Sequence, residues 1–124
     1  MSKKVLVVDD EKDIVFVLKS ALDGSGYITD SAADGLEALK KVASFKPDLI
    51  ILDIMMPVLD GYSVNLRLRE NPETAGIPVV IVTGKGHMQE FLKAREGVSV
   101  AAYLEKPFKV ATLLSTVNEI LQRQ

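Results

Sequence analysis

The sequence predicts one α/β domain built on a parallel sheet with helices on both faces. Three observations lead there. Four short apolar runs, Val5–Val8, Leu49–Leu52, Val79–Val82 and the weaker Ala101–Leu104, are continuous rather than alternating, as in strands covered on both sides. Segments with helical spacing separate these runs. With 124 residues, 48% apolar and 26% charged, the chain has material for one packed core and not the composition of a disordered segment.

The elements follow in order. After Val5–Val8, apolar Ile14, Val17, Leu18, Ala21 and Leu22 mark one face of a first helix. Gly24-Ser25-Gly26 breaks it, and Tyr27–Ala32 forms a poorer strand. Leu36, Leu39 and Val42 or Ala43 give a second helix, ended by Lys46-Pro47. Leu49–Leu52 is the next strand. In the following segment Val64, Leu66 and Leu68 alternate with Asn65, Arg67 and Arg69, a strand-like pattern. The i, i+4 pairs Tyr62/Leu66 and Val64/Leu68, the Asp60-Gly61 start and the Pro72 stop favour a helix. Val79–Val82 precedes a fourth helix marked by Met88, Phe91 and Leu92. Ala101–Leu104 precedes a last helix carrying Val110, Leu113, Leu114, Val117, Ile120 and Leu121. The order is β-α repeated five times over residues 1–124, with no linker and no internal repeat.

Composition excludes several functions. There is no cysteine, so no disulfide, thiol nucleophile or thiolate metal site forms. His87 is the one histidine, too few for a multi-histidine centre. Fifteen basic and 17 acidic side chains give a net charge of -2, a poor match to direct nucleic-acid binding. No apolar run reaches the roughly 18 residues of a membrane span. The start, MSKKVLVVDDEKD, turns acidic too early for a signal peptide. The expected setting is soluble and cytoplasmic.

The chemistry follows the strands. Val5–Val8 runs into Asp9-Asp10, Leu49–Leu52 into Asp53, Val79–Val82 into Thr83-Gly84, and Ala101–Leu104 into Glu105-Lys106-Pro107. In a parallel sheet these ends share one edge, where open α/β folds bind ligands. Asp9, Asp10 and Asp53 in close company repel one another and call for a cation. Oxygen donors without histidine or cysteine suit Mg²⁺. Lys106 offers a compact charge for a phosphoryl oxygen. Thr83 adds a hydroxyl, and Gly84 lets a backbone N–H approach an anion. A carboxylate in that setting is a credible nucleophile for an aspartyl-phosphate. No nucleotide-binding loop accompanies the set: in Thr83-Gly-Lys-Gly86 the Gly-Lys pair lacks its first glycine, which is replaced by Val79.

These residues carry a family resemblance. V-V-D-D-E, L-D-I-M-M-P-V-L-D-G, I-V-T-G and Y-L-E-K-P-F, in this order across essentially the whole chain, resemble the receiver domain of two-component response regulators. The resemblance implies a flavodoxin-like, doubly wound (βα)5 three-layer sandwich with strand order 2-1-3-4-5. It implies phosphorylation of Asp53 by a sensor histidine kinase or histidine phosphotransfer protein. It further implies Mg²⁺, with Mn²⁺ able to substitute, on Asp10, Asp53 and the Met55 carbonyl, with Asp9 acting through water. Lys106, Thr83 and the Gly84 N–H would stabilise the phosphoryl group. Thr83 and Tyr103 would form the switch pair, and Lys106-Pro107 would be a cis peptide. Met55 and Lys85 would tune phosphoryl lifetime. A downstream protein would bind the face of the fourth helix, fifth strand and fifth helix, the domain being a monomer or a weak phosphorylation-dependent dimer.

The sequence departs from the pattern at Gly97-Val-Ser-Val-Ala-Ala-Tyr103, longer and less acidic than the family's usual Gly-Ala-Asp-Asp-Tyr. Asp9, Asp10, Glu11 and Asp13 have the alternative reading of acids favoured at a helix start, which Asp53 and Lys106 at the matching strand ends outweigh, and Asp60 is read as a cap. His87 is expected on the surface, with Asp23, Asp30, Asp34, Asp48 and the Lys40-Lys41 pair solvated. The expected function is a phosphoacceptor switch rather than a turnover enzyme. The competing readings are a Mg²⁺-dependent phosphohydrolase with an aspartate nucleophile and a non-phosphorylated receiver-like scaffold.

Overall fold

The computed structural model describes residues 2–55, 58–84 and 100–122. The elements are β1 (Lys4–Val8), α1 (Lys12–Gly24), β2 (Ile28–Ala32), α2 (Gly35–Phe45), β3 (Leu49–Asp53), α3 (Gly61–Glu70), β4 (Val79–Thr83), β5 (Ala102–Glu105) and a C-terminal helix (Val110–Gln122). The strands are all parallel, in the order β2-β1-β3-β4-β5. Met88, Phe91 and Leu92 of the expected fourth helix lie outside the described residues, as do Lys85 and His87.

Strand alternation divides the apolar runs between two cores. Leu6, Val8, Ile50, Leu52, Val79 and Ile81 pack with Ala38 and Val42 of α2 and Val64 and Leu68 of α3. Val5, Val7, Leu49, Ile51, Val80 and Val82 pack with Leu18 and Leu22 of α1 and Leu113 and Val117 of the C-terminal helix. Burial on both faces is why β1 after Lys4, and β3 and β4 before their last residues, carry no polar residue. The Tyr27 hydroxyl donates to Asn118 Oδ1, tying the start of β2 to the C-terminal helix.

The ambiguous segment is helical. Val64 and Leu68 are buried on one side with Asn65, while Leu66 points outward. Asp60 caps this helix, its Oδ1 accepting the Ser63 N–H at 2.8 Å. The Arg69 guanidinium donates to the carbonyls of Ala75 (2.6 Å) and Ile77 (2.7 Å), fastening the α3–β4 loop. These tertiary anchors override the alternating pattern.

Two helix faces differ from the spacing. Val17 and Leu36 are nearly half exposed, because Leu18 and Leu22, and Ala38 and Val42, make the inward faces of their helices. Several acids read as solvated have partners. Asp34 caps α2 by accepting the Glu37 N–H at 2.9 Å, Asp48 accepts the Lys4 N–H at 2.8 Å, and Asp23 accepts the Thr29 hydroxyl at 2.6 Å. Asp30 pairs with Lys41 at 3.0 Å, so Lys41 is not simply part of a solvated face.

Candidate phosphoryl and cation site

The carboxyl ends of β1, β3, β4 and β5 converge on a small polar site. Asp9 follows β1 directly, and its N–H donates to the Ala32 carbonyl at 3.1 Å, extending the ladder by one residue. Asp53 ends β3 in register with Val82. Both carboxylates are buried, 4% and 3% exposed, whereas Asp10 faces solvent. One carboxylate oxygen from each of Asp9, Asp10 and Asp53 lies within 4.8 Å of the others.

Lys106 enters from the opposite side. Its N–H donates to the Thr83 carbonyl at 2.7 Å, and the Lys106–Pro107 peptide is cis. The ammonium Nζ lies 3.0 Å from Asp9 Oδ2, 3.3 Å from Glu11 Oε1 and 3.7 Å from Asp53 Oδ2. Asp9 Oδ1 accepts the Glu11 N–H at 2.9 Å, and Asp53 Oδ1 accepts the Met55 N–H at 3.1 Å. The backbone therefore fixes one oxygen of each buried acid.

The electrostatics follow from this geometry. Burial, and then the charge of Asp9, push the Asp53 carboxyl up from 3.8 to about 6. Lys106 and the Met55 N–H pull the other way without cancelling the rise. For Lys106, burial works to lower the pKa, but the Asp9 hydrogen bond and the charges of Asp53 and Asp9 outweigh it and hold the ammonium above its usual range. Three carboxylates facing one ammonium leave an excess of negative charge. Oxygen-only donors of this kind fit a hard divalent cation.

The other expected residues take these places. Thr83 ends β4 fully buried, and among the described residues its Oγ1 has no hydrogen-bond partner. Gly84 follows it, half-buried. Met55 is largely exposed beside Asp53. Tyr103 lies midway along β5, half-buried against the core shared with α2 and α3, which also receives Ile54 and Leu59.

Two residues gain a role that the sequence reading missed. A Cβ on Gly61 would stand 2.3 Å from the Asp53 carbonyl oxygen and 2.8 Å from Ile54 Cα. With the Gly61 N–H donating to the Ile54 carbonyl at 3.0 Å, the start of α3 is seated directly on the turn that carries Asp53. No periodicity signals such an approach; only the glycine beside the capping Asp60 hints at it. Glu11, to which the sequence assigned no site role, accepts from Lys106 at 3.3 Å, and its place after the Asp9-Asp10 pair was the available signal.

Comparison with known proteins agrees with the arrangement. Residues 5–118 match the profile of the response regulator receiver domain. The chain is 44% identical to the alkaline phosphatase synthesis transcriptional regulatory protein PhoP of Bacillus subtilis (strain 168), over 99% of this chain and 50% of that protein. It is 37% identical to the response regulator MprA of Mycobacterium ulcerans, over 99% and 52% respectively. It thus spans about half the length of these curated relatives. Among solved structures, a response regulator from Chloroflexus aurantiacus J-10-fl superposes with a TM-score of 0.90 at 33% identity, covering 98% of this chain and 99% of that one. The chemotaxis response regulator CheY4 of Vibrio cholerae gives 0.87 at 32% identity, covering 97% and 99%. Strand order, profile and relatives concur: the chain belongs to the family of response regulator receiver domains.

Proposed function

We propose that Asp53 accepts a phosphoryl group from the phosphohistidine of a sensor kinase or phosphotransfer protein, and that the modified domain shifts its affinity for a downstream protein. The observation that carries this reading is the gathering of Asp9, Asp10 and Asp53 within 4.8 Å, with Lys106 Nζ set 3.7 Å from Asp53. An Asp53 oxygen attacks phosphorus, the donor's P–N bond breaks, and the imidazole leaves with its electron pair, taking up a proton. The product is a mixed anhydride on Asp53; attack of water on phosphorus then returns the carboxylate and inorganic phosphate.

Asp10, Asp53 and the Met55 carbonyl, with Asp9 beside them, would hold Mg²⁺, which when bound would supply positive charge to the transferring phosphoryl oxygens. The chain's own groups do the positioning. The Met55 N–H fixes one Asp53 oxygen, which leaves the other as nucleophile. Lys106 approaches a phosphoryl oxygen without leaving its strand end. Thr83 supports a switch role because its buried hydroxyl, which has no hydrogen-bond partner among the described residues, would gain one in a phosphoryl oxygen. Movement of Thr83 toward the phosphate, with the Tyr103 ring turning inward, would bias a pre-existing equilibrium between two packings.

The domain is read as a phosphoacceptor rather than a turnover phosphohydrolase, without direct nucleic-acid contact, acting in the cytoplasm as a monomer or weak phosphorylation-dependent dimer. Among the described residues no helix is long and apolar enough to cross a membrane. Intact-mass spectrometry after incubation with acetyl phosphate tests the reading. One Mg²⁺-dependent phosphate, absent from Asp53→Asn, is expected. A metal-independent adduct, or one that persists in the variant, would overturn it.

A further inference from the structure

The Glu11 side chain does not cap the helix that it begins. Glu11 is the N-cap of α1, with φ -90° and ψ 109°, and makes no side-chain cap bond. A Ser, Thr, Asp or Asn in this place would accept a first-turn N–H. Instead Glu11 Oε1 accepts from Lys106 Nζ at 3.3 Å, across 95 positions of sequence. Lys106 then donates to Asp9 and Glu11 and stays 3.7 Å from Asp53, beyond hydrogen-bond reach. Of the three acids holding the ammonium, Asp53 has the weakest grip. Glu11 differs from the other two in being 62% exposed, so water can take it back when Lys106 turns away.

We infer that Glu11 is a positioning residue that holds Lys106 off Asp53 and competes with an incoming phosphoryl group for its charge. The inference rests on the reading of Asp53 as phosphoacceptor. A phosphoryl group on Asp53 offers Lys106 new anionic oxygens, and the ammonium must exchange Glu11 for one of them. Glu11 therefore sets how readily Lys106 engages the modified acceptor, and breaking its contact favours the phosphorylated state.

Titration of the full chain with beryllofluoride in Mg²⁺, followed by heteronuclear NMR, tests this. Glu11→Gln keeps the side-chain length and removes the charge. Glu11→Asp keeps the charge but is one methylene too short to hold Lys106 while bonding its own helix. Both variants are expected to bind the phosphoryl analogue about three- to fivefold more tightly than wild type. For Glu11→Gln the gain shrinks as added salt screens the competing charge. Glu11→Asp also raises the urea midpoint of the metal-free protein, because aspartate caps α1. Unchanged or weaker binding in both variants overturns the inference. Tighter binding in Glu11→Gln alone overturns it too, since simple repulsion without the Lys106 contact would then suffice. Failure of the wild type to bind beryllofluoride would instead overturn the phosphoacceptor reading.

Discussion

Asp53→Asn is expected to stabilise the metal-free protein at alkaline pH, although it removes the central residue of the site. Asp53 is 3% exposed, and burial together with the charge of Asp9 raises its carboxyl from 3.8 to about 6. The unfolded chain titrates near the ordinary value, so the native state holds this proton more tightly. Stability therefore falls as pH rises from about 4 to about 6, and above that range the loss is complete. The rise corresponds to about 3 kcal/mol of penalty on the ionised native state. Asparagine keeps an oxygen for the Met55 N–H without the charge. Urea unfolding in EDTA should show the variant about 2–3 kcal/mol more stable near pH 8, and only about 1 kcal/mol more stable near pH 4.5. Added Mg²⁺ should narrow the difference, because binding to the native wild type stabilises it by mass action. Equal stability at both pH values, or a less stable variant near pH 8, would refute a buried charge held at a cost.

Further expectations concern the site's supports. Gly61→Ala should destabilise the fold by about 2–3 kcal/mol, because its methyl meets backbone rather than a yielding side chain. Phosphate uptake by the folded fraction should fall as well, and unchanged uptake would mean that α3 does not set the Asp53 turn. Arg69→Met should cost about 2–3 kcal/mol in urea unfolding by leaving the Ala75 and Ile77 carbonyls without their donor; a loss under 0.5 kcal/mol on that same scale would contradict the fastening role. Apparent Mg²⁺ affinity, measured by calorimetry, should be level above about pH 7 and drop by about tenfold per unit below about pH 6, as protons compete for Asp53. A level profile through that range would show that Asp53 is not a ligand.

Much of this architecture was legible because burial on both faces leaves a simple mark. Val5–Val8, Leu49–Leu52 and Val79–Val82 are uninterrupted by polar residues, and the first polar residue after each marks the end where chemistry gathers. Asp9, Asp53 and Lys106 could thus be placed together from their positions in the chain. Side-chain direction was less accessible. Val17 and Leu36 fit a helical stripe by spacing, yet a face is defined by the partner it meets, and Leu18 and Ala38 meet it. Glu11 lay beside the acidic pair, but its choice between its own helix and Lys106 depends on a residue 95 positions away. Gly61 likewise owes its role to a contact between the first residue of a helix and the last of a strand, which periodicity does not encode.

The central claim is that the phosphoryl group resides on Asp53. Borohydride reduction of the phosphorylated chain, followed by digestion and tandem mass spectrometry, tests it directly, because reduction of an acyl phosphate turns aspartate into homoserine. Homoserine at position 53 alone is the predicted result. Homoserine at position 9 or 10, or a phosphate that survives reduction on a hydroxyl such as that of Thr83, would contradict it.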